Sequence, residues 1–418
     1  MTAPSANFLS QTPASLTAYF AGLGERPYRV TQTMKWVYHR GATEFADMSD
    51  VSRRVREQLT RDFAIRLPEV VTAHVSLDGT RKWVVRVASG QCVECVLIPE
   101  KGRNTLCVSS QVGCMLDCSF CATGKQGFAG NLSVGDIVGQ VLLVHRALLQ
   151  DGDTRGVTNV VLMGMGEPLL NFDAVVAATS LMLEDLAFGL SKRRVTISTA
   201  GVVPAIYALA EVTDVSLAVS LHAPTNALRD VLVPLNRKYP ISELLAACRH
   251  YQDTSLGERR TVTFEYTLLA NVNDGVEQAA ELARLLREIP CKINLIPFNP
   301  FTGSGYGRPT EARVRAFQTH LMQSGYATML RTTRGGDIAA ACGQLVGEFA
   351  DHTRRRERFL ARIAMHDVAA VAAPRASGPE PDLDAVATAT HTAEPGRPGY
   401  TERPGCTQRG QAVAVEPG

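Results

Sequence analysis

Between about Asn104 and Gln344 the sequence alternates between two hydrophobic periods, and this alternation limits the possible folds more than any other feature. Strand-like runs TLCVSS, NVVLMG, RVTIST, VSLAVSLH, TVTFEYTLL, KINLIPF and ATMLRTT are separated by helix-period stretches such as SVGDIVGQVLLVHRALLQ, FDAVVAATSLML, ISELLAACRHYQ and DGVEQAAELARLLREI. Repeated βα units build a parallel sheet or barrel whose functional loops lie at the strand C-terminal ends. About six units predict an incomplete α/β barrel, a partial (β/α)6, over residues 104–350.

The flanks read differently. Residues 1–68 carry helical patterns, SLTAYFAGLGERPYRVTQTMKWVYHRG and MSDVSRRVREQLTRDF, with Arg26, Arg29, Lys35 and Arg40 interleaved with Tyr28, Trp36 and Tyr38. Such a face suits RNA, by phosphate contact and base stacking, or is simply a solvated face over a small core. Residues 69–103 read as a short antiparallel β connector, with a hairpin at Asp78-Gly79. Residues 351–418 form a C-terminal extension. Beyond about 365 it is rich in Ala, Pro, Gly and Thr and too poor in large apolar residues to offset its ordering entropy, which predicts disorder.

The 418 residues have a net charge of only +2, so no global nucleic-acid signature exists. No apolar run reaches membrane-spanning length and the start lacks the features of a secretion signal, which predicts a cytoplasmic protein. In a reducing compartment, ten cysteines point to metal binding or redox chemistry rather than a disulfide framework.

Three of them, Cys114, Cys118 and Cys121, stand in GCMLDCSFC at C-x3-C-x2-C spacing, directly after the first barrel strand. Closed zinc sites want four ligands, and no second cysteine pair lies nearby. An iron–sulfur cluster also usually takes four cysteines, so three leave one iron open to a small molecule. The spacing resembles that of radical S-adenosylmethionine enzymes. That likeness implies a [4Fe–4S] cluster whose open iron is chelated by the amino and carboxylate groups of S-adenosylmethionine, giving a 5′-deoxyadenosyl radical on reduction. Other strand ends agree. MGMGEPLLN offers Gly166 and Glu167, a backbone that can approach a ligand and a carboxylate that can accept from its amino group. Ser198, Ser220, His222 and Asn299 each end a later strand.

Taken with RTTRGGDIAAACGQL, STAG, SLHAP and IPFNP, these motifs over residues 10–350 resemble the dual-specificity 23S rRNA and tRNA adenine C2-methyltransferases. The resemblance implies a radical-SAM barrel with Gly166, Glu167, Ser198, Ser220, Leu221, His222 and Asn299 around the cofactor. It further implies three catalytic residues: Cys342 as the S-methylcysteine intermediate, Cys107 as the thiol that resolves the protein–RNA adduct through a transient disulfide, and Glu94 as proton acceptor. The implied targets are adenine 2503 of 23S rRNA and adenine 37 of some tRNAs. Two S-adenosylmethionine molecules per turnover, a flavodoxin- or ferredoxin-type electron donor and a monomeric enzyme without membrane contact complete the expectation. C2 of adenine is an electron-poor carbon that cannot displace the methyl of S-adenosylmethionine directly, whereas a thiolate can. The related C8-methyltransferases share these motifs, and the full N-terminal helical region favours the C2 reaction. A zinc-bound RNA-binding module is the alternative from another class. Cys92 and Cys95, flanking Glu94, have no assigned role; Cys248 and Cys291 read as small apolar residues.

Overall fold

The computed structural model describes residues 6–257, 260–341, 343–347 and 351–361. Cys342 and the stretch predicted to be disordered lie outside these residues.

The N-terminal part contains helices α1 (Pro13–Gly22), α2 (Tyr28–Tyr38) and α3 (Arg53–Asp62). At the start of α1, Thr12 Oγ1 accepts from the Ser15 amide and Ser15 Oγ accepts from the Thr12 amide, with Pro13 in the first turn, so the orphan amides are satisfied reciprocally. The core of this part is Phe8, Phe20, Met34, Met48 and Leu59, all fully buried, with Phe8 edge-on to Phe45 and Phe63. It docks on the barrel helix Val134–Gln150, where Arg146 donates to the carbonyls of Val37 (2.9 Å) and Ala42 (3.2 Å).

Tyr38 therefore departs from the expected basic, aromatic face. It is buried, ring against Phe188 at 5.4 Å, because α2 turns that side toward the barrel. The Trp36 ring is covered by the Arg40 guanidinium at 4.5 Å and its indole N–H donates to Asp50, which leaves Tyr28 as the exposed aromatic of the three.

A single ten-stranded sheet follows, with strands in sequence order across it: β1 (Glu69–Val75), β2 (Arg81–Arg86), β3 (Cys92–Glu100), β4 (Arg103–Cys107), β5 (Asn159–Leu162), β6 (Val195–Thr199), β7 (Ser216–Ser220), β8 (Val262–Leu268), β9 (Cys291–Pro297) and β10 (Ala327–Leu330). β1 to β4 pair antiparallel. From β4 to β10 every neighbour is parallel, giving seven parallel strands joined by crossovers that carry the helices expected from the sequence. The expected hairpin is present at Asp78-Gly79, with Gly79 at φ +81° and Ser76 donating to Thr80 at 2.8 Å. The connector is not a separate sheet, however, because a tight turn through Gly102 (φ +76°) lets β3 pair with β4 and the antiparallel strands extend the barrel. Most of β10 is exposed and, among the described residues, pairs only with β9, so the barrel they form is open. None of the described helices is long and apolar enough to cross a membrane.

Candidate active site

The cysteine loop leaves the C-terminal end of β4. Its base is closed by a two-stranded ribbon, Gln111–Gly113 against Phe128–Asn131, and by the Cys114 amide donating to the Gly127 carbonyl at 2.7 Å. Cys114, Cys118 and Cys121 line one cavity with the ends of β5 to β9. Burial raises all three thiol pKa values, and for Cys114 and Cys118 the neighbouring sulfurs add to it, pushing Cys118 up to about 12. Three thiolates therefore need a strongly cationic partner here. Among the described residues no three His, Cys, Asp or Glu side chains are grouped to hold a single metal ion. A cluster that offers each sulfur its own iron fits this donor set better than one ion.

The cavity, about 1020 Å³ with its mouth, is of the size that takes a cofactor-sized ligand. Gly166, Glu167, Ser198, Ser220, His222 and Asn299 all line it; Leu221 does not, being fully buried beside it. Gly166 sits at φ +105°, and a Cβ there would fall 2.6 Å from Gln111 Cβ. Glu167 receives backbone hydrogen bonds from Leu169 (3.1 Å) and Ala200 (2.7 Å), and burial nevertheless pushes its pKa up to about 7. Its carboxylate thus joins two strand ends as well as facing the cavity. His222, at φ +60°, accepts from the Thr267 amide at Nδ1 (3.0 Å). Burial, and then the charge of Arg229, lower its pKa to about 3, so it is a neutral imidazole with its proton on Nε2. Asn299 Oδ1 accepts from Arg308 and Thr333, which fixes its amide.

Glu94 and Cys107 do not line this cavity. Cys107 stands opposite Val96 on β3, and Glu94, two residues before Val96, shares that face of the sheet. Glu94 is only 3% exposed, where an unpartnered strand glutamate would face solvent. Lys82 Nζ lies 3.1 Å from Oε1 and the Val346 amide donates to Oε2 at 3.0 Å. Burial raises its pKa, with Lys82 opposing. The segment 343–347 separates this face from the cysteine loop and bonds to both: Gly343 O accepts from the Ala122 amide, and Thr123 Oγ1 donates to Leu345 O, each at 2.8 Å.

Sequence reasoning missed several residues. Arg229, fully buried, donates to the carbonyls of Ala200 (2.6 Å), Ser220 (3.0 Å) and Leu221 (3.1 Å) and so ties the ends of β6 and β7. Glu265 and Arg331 also line the cavity, with Asn294 donating to Glu265 at 2.7 Å. A glutamate inside the apolar run TVTFEYTLL was the available signal for Glu265; nothing local marked Arg229 or Lys82.

An open parallel barrel with three cysteines on the loop after its first parallel strand defines a radical S-adenosylmethionine enzyme, and residues 108–283 match the Radical SAM superfamily. Residues 6–65 match the ribosomal RNA large subunit methyltransferase N-terminal domain. The chain is 56% identical to the dual-specificity RNA methyltransferase RlmN of Pseudomonas fluorescens (strain SBW25) over 357 residues, 85% of this chain and 93% of that protein. It is also 56% identical to the RlmN of Marinomonas sp. (strain MWYL1) over 358 residues, 85% of this chain and 96% of that protein. The crystal structure of a radical SAM methyltransferase from Sphaerobacter thermophilus matches with a TM-score of 0.76 at 43% identity, covering 82% of this chain and 99% of that one. The chain belongs to the RlmN family of radical S-adenosylmethionine RNA methyltransferases. Membership sets aside the zinc-bound binding module and implies a [4Fe–4S] cluster and S-adenosylmethionine.

Proposed function

We propose that the chain methylates C2 of adenine 2503 in 23S rRNA and of adenine 37 in some tRNAs. The observation that carries this reading is the adjacency of two chemically different residue sets, a three-thiol cavity and the Glu94 and Cys107 face, with segment 343–347 running between them. Cys114, Cys118 and Cys121 would hold the cluster and leave one iron for S-adenosylmethionine, two molecules of which are used per turnover. Bound there, the pair supplies a methyl group and a hydrogen-abstracting radical, driven by a flavodoxin- or ferredoxin-type donor.

The chain's own residues do the rest. The Cys342 thiolate takes the methyl group and then loses one of its hydrogen atoms, and the resulting carbon bonds to C2 of the base. One electron would pass from the adduct to the cluster, left oxidised when the radical was generated, and Glu94 removes the C2 proton, a task for which a carboxylate made more basic by burial is suited. Cys107, as thiolate, attacks the Cys342 sulfur. The S–S bond forms as the C–S bond breaks, and the carbon keeps the bonding pair and takes a proton to become the new methyl group. The target base is flipped out of its stack to reach the site, while the docked N-terminal helices hold the RNA. The enzyme acts as a monomer in the cytoplasm, where its substrates are.

The test is mass spectrometry of nucleosides from 23S rRNA incubated anaerobically with reconstituted protein, S-adenosylmethionine and a reductant. 2-Methyladenosine is expected; 8-methyladenosine, or no methyladenosine from protein shown to hold its cluster, overturns the proposal.

A further inference from the structure

Residues 351–355 follow the barrel in the extension to which sequence reasoning gave no function, yet they bind the cysteine loop at both ends. At one end Asp351 Oδ1 accepts from the Phe128 amide (3.3 Å), and the His352 amide donates to the Phe128 carbonyl (3.1 Å). The same carboxylate accepts from the amides of Thr353 (2.7 Å) and Arg356 (2.9 Å), which folds the segment around it. Gly127 makes the room. Its φ is +89°, and a Cβ would fall 1.9 Å from Asp351 Oδ1.

At the other end the half-buried Arg355 guanidinium reaches into the loop. Nη1 donates to the carbonyls of Cys114 (3.1 Å), Leu116 (2.9 Å) and Gly124 (3.4 Å), and Nη2 donates to that of Met115. One planar cation thereby gathers carbonyls from both sides of the loop, an arrangement that a lysine ammonium cannot reproduce with the same fork geometry. Satisfying carbonyls that the loop's own amides do not reach fixes the backbone from which the cysteines project.

We infer that Arg355 is a positioning residue for the iron–sulfur cluster, the pin of a strap formed by residues 351–355 that holds the cysteine loop in its ligating shape. The inference rests on the reading that Cys114, Cys118 and Cys121 hold the cluster. A cation this close to the ligand loop also favours the reduced, more negative state of the cluster, so removing it lowers the reduction potential.

The test compares reconstituted holoenzymes under anaerobic conditions: wild type, Arg355→Ala, Arg355→Lys, Gly127→Ala and, as a control, Arg356→Ala, which removes an exposed charge one residue away. Iron loss to a colorimetric chelator is followed by absorbance, and the cluster's potential by redox titration with electron paramagnetic resonance. Arg355→Ala is expected to lose iron at least about tenfold faster than wild type, as loss of charged hydrogen bonds to several carbonyls implies, and to show a more negative potential. Arg355→Lys is expected to retain much of the potential but release iron at an intermediate rate. Gly127→Ala, which expels Asp351, is expected to follow Arg355→Ala in iron loss, and Arg356→Ala to follow wild type. Equal iron loss and potential in Arg355→Ala and wild type would overturn the inference, as would equal effects of Arg355→Ala and Arg356→Ala. Should Arg355→Ala fail to fold, Arg355→Lys decides: release at the wild-type rate overturns the inference. A wild-type protein that takes up no cluster refutes the ligand reading instead.

Discussion

Replacing Lys82 by methionine tests the charge arrangement at the proposed base. Lys82 and Glu94 have side chains about 10% and 4% exposed and form an ion pair at 3.1 Å, so solvent screens them little. Truncating one partner of such a pair leaves an uncompensated buried charge, at a cost of about 3–5 kcal/mol. Among the described residues Glu94 then keeps the Val346 amide as its donor, so Lys82→Met is expected to melt roughly 5–10 °C lower at pH 8, allowing for the size of the chain. The cost depends on pH with a defined sign. Glu94 already has a folded-state pKa above its ordinary 4.5, and losing Lys82 raises it further. Its contribution to stability is therefore fully present below about pH 4.5 and is lost as pH rises through the folded value. The melting temperatures of variant and wild type should converge toward acid and separate toward alkali, and Lys82→Met with Glu94→Gln should recover most of the loss. The same perturbation raises the pH at which Glu94 becomes the carboxylate that takes the C2 proton, so a covalent protein–RNA adduct should build up on a denaturing gel more in the variant than in wild type toward acid, and the difference should diminish toward alkali. Thermal scans of Lys82→Met that coincide with wild type from pH 5 to 9 would refute a buried, charged pair at this place.

Other perturbations address the remaining parts. Cys107→Ala should trap the covalent protein–RNA adduct, whereas Cys342→Ala should give neither adduct nor product; normal turnover by Cys107→Ala, seen by nucleoside mass spectrometry, would remove its resolving role. Gly166→Ala combines a strained backbone with a Cβ placed 2.6 Å from Gln111, and should lose about 1–3 kcal/mol of stability together with S-adenosylmethionine binding, measured by equilibrium dialysis. Arg229→Met leaves the Ala200, Ser220 and Leu221 carbonyls without their shared donor and should cost about 3 kcal/mol or more in urea denaturation, with weaker cofactor binding at unchanged RNA affinity.

What could be read in the sequence was what depends on near neighbours. The βα alternation and the Asp78-Gly79 turn are local patterns, and the C-x3-C-x2-C spacing states the donor count within eight residues. Glycine and proline at MGMGEP likewise mark a strand end from within. What escaped depends on partners distant in the chain. Glu94 is buried because Lys82 meets it across the β2–β3 pairing and the Val346 amide covers it from 252 residues further on. Tyr38 looks like its surface neighbours until Phe188 is brought against it. Arg355 stands in an arginine-rich stretch whose composition gives no hint that one of its members is turned inward.

The order of the strands has a consequence for how the protein is made. Each strand of the large sheet lies beside the one synthesised just before it, so the sheet can grow at one edge as the chain emerges, and no strand has to be inserted between two others. The cysteine loop is an early product of this growth, but the arginine that pins it comes 239 residues after Leu116. At ordinary translation rates of about 5–20 residues per second, the loop waits roughly 10–50 s with its carbonyls unclaimed. The cysteine loop is thus shaped early but fastened late, only when the barrel behind it has been built.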